Sequence, residues 1–273
     1  MIHFAWLWAL IALPLPLLTR WLLPTHQPIE QAISGRDLMM AVDLSRSMEA
    51  QDFMLNKRPV DRLTAIKAIA TDFINRRVGD RIGLILFGTQ AYLQTPLTFD
   101  RKTVQTLLDE AVIGLAGDNT AIGDAIGLSV KRLKNQPAKS HVLILLTDGA
   151  NTAGEVTPLK AAELASSNDL KIYTIGIGAD EMVVPSFFGN RRVNPSLDLD
   201  EKTLIKIAES TGGNYYRARN TDELNNIYMR LDELEPVEKD KQYFRPRTEL
   251  TVYPLSVSLL LLAVLCGLKL RQS

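Results

Sequence analysis

The stretch DLMMAVDLSRS, Asp37–Ser47, decides the fold. Its first seven residues are an apolar run closed at each end by an aspartate, which is how a strand buried on both faces of a parallel sheet reads. Comparable runs recur at Arg81–Phe87, Ala91–Thr95, His141–Thr147, Lys171–Ile177 and Asn214–Ala218. Between them Leu63, Ile66, Ala70, Phe73 and Ile74 repeat at helical spacing, as do Leu224, Ile227, Tyr228, Leu231 and Leu234. Strands alternating with amphipathic helices predict an α/β protein with a doubly wound, Rossmann-like, mostly parallel six-stranded sheet. The tight return Gly88-Thr89-Gln90 leaves no room for a crossover helix, so Ala91–Thr95 is expected as one antiparallel edge strand. Thr157-Pro158 reads as a helix start, and Gly79 and Gly212 as helix stops.

Composition narrows the function. The chain has 273 residues, of which 46% are hydrophobic, and 31 Lys+Arg balance 31 Asp+Glu. A net charge of zero gives no basic field for nucleic acid, and no local basic patch replaces it, so a nucleic-acid partner is not expected. Three histidines (His3, His26, His141) and one cysteine (Cys266) exclude a disulfide framework and a Cys/His zinc site. They also weaken Ser-His-Asp or Cys-His catalysis, because His141 alone falls in the globular region.

The two ends are apolar. No charged side chain occurs from Met1 to Thr19, and Leu250–Leu268 is again uncharged between Glu249 and Lys269. At about 1.5 Å per helical residue the second run nearly crosses a hydrocarbon core of about 30 Å. The first run lacks the basic leader and the small-residue cleavage site of a signal peptide. Trp6, Trp8, Trp21 and Tyr253 lie near the ends of these runs, where amphipathic rings favour the membrane interface. The expected organisation is a transmembrane anchor over 1–24, a globular domain over 33–235, a charged, proline-containing linker over 236–249 and a transmembrane helix over 250–268. Basic residues near the spans do not assign a side, since the intervening loop is too long for that rule.

In a doubly wound sheet the functional crevice lies at the carboxyl ends of the strands. The first strand ends in Asp43-Leu-Ser45-Arg-Ser47, the fourth ends in Thr147-Asp148-Gly149, and Asn119-Thr120 opens the helix before that fourth strand. Asp43, Ser45, Ser47, Thr120 and Asp148 are all oxygen donors, a set that suits a hard cation, Mg²⁺ first with Mn²⁺ or Ca²⁺ as substitutes. Three neutral hydroxyls among five donors leave such a metal attractive to an incoming carboxylate, the chemistry of a recognition site.

Together these stretches resemble a von Willebrand factor type A (VWA) domain with a metal-ion-dependent adhesion site (MIDAS), in the bacterial aerotolerance (Bat) group of membrane proteins. The resemblance rests on Ala41–Met48, Gly79–Leu84, Ala121–Ala125, Leu145–Gly149 and Tyr173–Gly178, with Pro14-Leu-Pro16 and Tyr243-Phe-Arg-Pro-Arg247 at the ends. It implies that Ser45, Ser47 and Thr120 ligate Mg²⁺ directly or through water, that Asp43 and Asp148 complete the shell, and that an acidic residue of a partner takes the remaining position. It also implies a bacterial inner-membrane location and a role in assembly or stress tolerance beside other Bat-group proteins and a MoxR-type AAA+ ATPase. Two features depart from the group: the segment Glu49–Val60 is long, and Asn119 stands where glycine is expected.

The segment Gly178–Asp200 leaves the fifth strand at the same sheet edge and carries Val183, Val184, Pro185, Phe187, Phe188, Arg191 and Arg192. Phe187, Phe188, Arg191 and Arg192 suit an acidic partner with an apolar neighbour; the rival reading packs the phenylalanines on their own domain. The expected function is a membrane-anchored binding module and not an enzyme. The alternatives are an Mg-dependent phosphohydrolase with Asp43 as nucleophile, which would want a second acid where Ser45 stands, and a channel-associated subunit, for which the spans offer no polar pore lining. Neither a dinucleotide-binding glycine fingerprint nor a P-loop is present.

Overall fold

Strand β1, Asp37–Asp43, is buried along its whole length, and its side chains alternate between two cores. Leu38, Met40 and Val42 enter one core, Met39 and Ala41 the other. This is the placement its uninterrupted apolar sequence demands, because a strand with helices on both faces has no solvent side. A computed structural model describes residues 36–236 apart from 135, 137–139 and 187–188, together with positions 268 and 271. Residues Ile33–Asp240 form one compact unit, and the two ends of the chain fall outside it.

After β1 come a short 3₁₀ turn (Arg46–Glu49), β2 (Phe53–Leu55), β3 (Arg58–Val60), α1 (Arg62–Arg76), β4 (Arg81–Phe87), β5 (Ala91–Thr98) and α2 (Arg101–Asp109). The second half holds α3 (Ile122–Leu133), β6 (His141–Thr147), α4 (Pro158–Ser166), β7 (Leu170–Ile177), β8 (Met182–Ser186), β9 (Gly189–Val193), α5 (Glu201–Ser210), β10 (Tyr215–Ala218) and α6 (Thr221–Leu234). Six strands make the main sheet in the order β10-β7-β6-β1-β4-β5. All neighbours in it are parallel except β4 and β5. The expected doubly wound sheet with one antiparallel edge is therefore present. The edge strand runs on through Pro96 to Thr98, which an outermost strand permits because a missing N–H there breaks no ladder.

Helices α1, α2 and α6 cover one face through Ile66, Phe73, Val104, Leu108, Leu224 and Tyr228. Helices α3, α4 and α5 cover the other through Ile126, Ala162 and Ile207. Chain progression reverses between β1 and β6, the neighbouring strands from which the two halves of the sheet are wound outwards. The crevice of the fold opens there.

Glu49–Val60, read from sequence only as a long insertion, is a small hairpin: β2 pairs antiparallel with β3 across Asn56-Lys57, whose φ values are 51° and 65°. Gly178–Asp200 likewise contains an antiparallel pair, β8 with β9. Asn119 takes no left-handed conformation; among the described residues, positive φ outside glycine occurs at Asn56, Lys57 and Asp169. Its replacement of glycine thus imposes no strain at that point.

At the pole opposite the crevice, the first and last described segments of the domain meet. Arg36 Nη1 lies 3.1 Å from Glu235 Oε2 and donates to the carbonyl of Pro236 at 2.9 Å. Glu235 also accepts from Lys171 Nζ and Tyr173 OH, each at 2.8 Å. Among the described residues no helix is long and apolar enough to cross a membrane. Apart from Leu268, the segments expected to span, 1–24 and 250–268, lie outside the described residues, as does most of the linker 236–249.

Candidate metal-binding site

Asp43 is the last residue of β1, and β6 lies beside β1 in a register that pairs Val42 with Leu146. One step further along both strands brings Asp43 next to Thr147, with Asp148 immediately after it. Both carboxylates therefore stand at the reversal point because of strand register and not because of any loop excursion.

Asp43 is fully buried, and both its oxygens are engaged. Oδ1 accepts from the backbone N–H of Ser45 at 2.8 Å, and Oδ2 accepts from Thr147 Oγ1 at 2.6 Å. The Asp43–Ser45 contact is an Asx turn that bends the chain off the strand into the 3₁₀ turn. That bend brings the two serine hydroxyls together beside Asp148: Ser45 Oγ and Ser47 Oγ are 2.9 Å apart, and Ser47 Oγ donates to Asp148 Oδ1 at 2.5 Å. Asp43, Ser45, Ser47 and Asp148 thus form one continuous chain of hydrogen bonds.

Thr120 arrives from a different loop and makes no hydrogen bond to these four. Its N–H donates to Thr152 Oγ1 at 3.0 Å, and its carbonyl accepts from the N–H groups of Thr152 and Ala153. Ala121 N–H donates to the carbonyl of Gly88, just past the end of β4, which pins the Thr120 loop at the carboxyl end of the sheet. The Thr120 hydroxyl faces Gly149, 3.8 Å from where a β-carbon would stand, so it approaches the Asp148 side of the cluster.

Burial and the neighbouring Asp148 carboxylate push Asp43 up to about 7, against the hydrogen bonds from Thr147 and Ser45. Burial also raises Asp148, opposed by Arg62 and Ser47. Two carboxylates crowded out of water favour either a proton or a cation between them. Oxygen-only donors of this kind fit a divalent metal with a preference for hard ligands. Among the described residues no group of three or more His, Cys, Asp or Glu is placed to hold a metal, so the hydroxyls must supply most of any ligand shell here.

Sequence reasoning missed three residues at this site. Thr147 holds Asp43, Arg62 donates through Nη1 to Asp148 Oδ2 at 2.7 Å, and Asp52 grips the same guanidinium. A signal for Arg62 did exist. It continues the buried stripe of α1 formed by Ile66, Ile69, Ala70 and Phe73, a place where an arginine needs a buried partner.

The segment expected to meet a partner is only partly described. Arg191 and Arg192 stand exposed on β9, and Arg192 lies 3.3 Å from Glu181. Phe187 and Phe188 lie outside the described residues. The base of the segment does reach the site: Ala179 N–H donates to Asp52 Oδ2 at 2.8 Å, and Pro195 O accepts from Arg62 Nη2 at 3.2 Å.

Comparison with known proteins agrees with this architecture. The family model for the von Willebrand factor type A domain matches residues 37–230. An uncharacterized protein of Borreliella burgdorferi is 31% identical over 187 residues, which are 67% of this chain and 54% of that protein; the chain thus spans little more than half the length of this curated relative. Among solved structures, an aerotolerance-related membrane protein from Bacteroides fragilis is 27% identical with a TM-score of 0.59, over 73% of this chain and 98% of that one. The conserved hypothetical protein BatB from Bacteroides thetaiotaomicron is 25% identical with a TM-score of 0.60, over the same two shares.

Proposed function

Because the chain belongs to the von Willebrand factor type A family, we propose that it is a binding module, not an enzyme, that clamps a carboxylate of a protein partner through a divalent metal. The observation that carries this reading is the hydrogen-bonded chain Asp43–Ser45–Ser47–Asp148 at the point where the sheet reverses, with Thr120 beside it. Ser45, Ser47 and Thr120 would hold Mg²⁺, or Mn²⁺ or Ca²⁺ in its place, directly or through water, and Asp43 and Asp148 would complete the shell and balance the charge. A bound metal with this shell keeps Lewis acidity for one more oxygen ligand, which an aspartate or glutamate of the partner supplies. Both oxygens of Asp43 already accept hydrogen bonds, which suits a fixed member of a ligand shell better than the nucleophile of a phosphohydrolase.

In the same reading 1–24 and 250–268 anchor the domain in a bacterial inner membrane and 236–249 links it to the second span. The similarity to Bat-group membrane proteins supports this placement, and work beside other Bat-group proteins and a MoxR-type AAA+ ATPase is part of the proposal. Phe187, Phe188, Arg191 and Arg192 would help to select the partner.

The test is co-purification of the full chain from mild detergent in Mg²⁺ or EDTA, beside calorimetric titration of Mn²⁺. Wild type should bind the metal and retain a partner only when metal is present. Asp43→Ala should lose both while keeping its circular dichroism spectrum. A partner retained in EDTA and by Asp43→Ala would overturn the metal clamp.

A further inference from the structure

Arg62 brings a cation against the candidate metal site. Its side chain is 1% exposed, and Nη1 donates to Asp148 Oδ2 at 2.7 Å. Left alone, that guanidinium would cancel one of the two carboxylate charges and repel a divalent ion held beside Asp148. In a buried site like charges repel strongly even at an effective dielectric constant of about 20. A metal site so arranged would defeat itself.

Asp52 changes the balance. Its side chain is fully buried, and it takes Arg62 Nε at 3.0 Å and Nη2 at 2.5 Å, a fork-to-fork pair. With Arg62 offset by Asp52, ionised Asp43 and Asp148 keep two uncompensated negative charges, the complement of a divalent cation. Asp52 belongs to the Glu49–Val60 insertion, two residues before Met54 of the β2–β3 hairpin. The same carboxylate accepts from Ala179 N–H at 2.8 Å, and Ser196 Oγ donates to Ala179 O at 2.9 Å. Gly178 leaves β7 with φ +131°, and a β-carbon there would stand 2.5 Å from Arg62 Nη2.

We propose that Asp52 is the charge-balancing element of the metal site: carried by the insertion, it keeps Arg62, which donates to Asp148, from repelling the metal. The pair also ties the base of the 178–200 segment to Asp148, so metal and segment share one support. This rests on the metal reading above, and it assigns to the unusual insertion a task that the five candidate ligands alone do not perform.

The experiment titrates Mn²⁺ alone into the full chain at fixed pH, by calorimetry, for wild type, Asp52→Asn and the double variant Asp52→Asn with Arg62→Met. Asp52→Asn leaves the guanidinium uncompensated and should weaken Mn²⁺ at least about tenfold, the usual cost of losing an outer-shell partner. The double variant removes both charges together, a replacement that buried ion pairs commonly tolerate, and should recover affinity to within about threefold of wild type. A merely structural role predicts no such recovery. Asp52→Asn binding within about twofold of wild type, or a double variant no better than the single, would overturn the proposal. Should Asp52→Asn fail to fold, the double variant decides alone, a loss beyond about tenfold counting against it. A wild type that takes up no Mn²⁺ overturns the metal reading and this inference with it, whereas binding that is indifferent to both variants overturns this inference only.

Discussion

Gly178 illustrates how a single backbone position is forced by its neighbours. Its φ of +131° lies where L side chains rarely go, and Arg62 and Ser196 fill the space a β-carbon would need. Gly178→Ala should therefore destabilise the protein by about 1–3 kcal/mol, read as a lower midpoint in urea unfolding. An unchanged midpoint would show that the segment can relax away from Arg62. Legibility at this scale followed chemistry. Asp43, Ser45, Ser47 and Asp148 could be found because acidic and hydroxyl residues just after an apolar run have few places to go. Arg62 is legible as a buried position from the stripe of α1, but nothing in the sequence announces that its guanidinium would join Asp52 of the insertion to Asp148 at the end of β6.

Among elements, the β2–β3 hairpin is held across a two-residue turn in which Asn56 and Lys57 both have positive φ, the type I′ geometry. Asparagine suits the first position, but lysine at φ 65° is strained where glycine would be at ease. Lys57→Gly should raise stability by a few tenths to about 1 kcal/mol, as an upward shift in thermal midpoint; a downward shift would mean that the lysine side chain earns its place through contacts. The hairpin escaped sequence reading because each strand has three residues, Pro59 interrupts one of them and no Asn-Gly marks the turn. Helix α2 escaped for a related reason: only Val104 and Leu108 are buried, too few to establish a period. Its start is nonetheless chemically marked, since Asp100 accepts from the N–H groups of Lys102 and Thr103 as an N-cap. The strands β1, β4 and β6, apolar almost throughout, were readable to the residue, whereas the longer α1, with eight buried positions, was readable as a helix but ends at Arg76, ahead of the Gly79 read as its stop.

At the scale of the molecule, strand order was legible only as a class. Alternating periodicity implied a doubly wound sheet, but placing β6 beside β1 takes tertiary packing, and that placement brings Asp148 to Asp43. The far pole is fastened by Glu235. Burial raises its carboxyl, but Lys171, Tyr173 and Arg36 outweigh burial and hold it below the ordinary glutamate value of 4.5. A depressed folded-state value means stability that is fully present above the unfolded value and lost as pH falls through the folded one. Glu235→Gln should thus cost roughly 2 kcal/mol near neutral pH, a deficit that narrows below about pH 4.5 and closes in stronger acid. A deficit constant from pH 7 to pH 3 would mean that the side chain acts by shape and not by charge.

The contact of Arg36 with Glu235 and Pro236 has a topological consequence. A domain whose first and last described segments already touch is nearly a ring. A short peptide joining them would close the circle without disturbing a strand, and the chain could then be reopened at the Asn56-Lys57 turn. The order of strands along such a permuted chain would change while the crevice, set by neighbouring strands and not by sequence order, would stay where it is. For this fold the site belongs to the sheet, and where the polypeptide begins is a detail of its attachment.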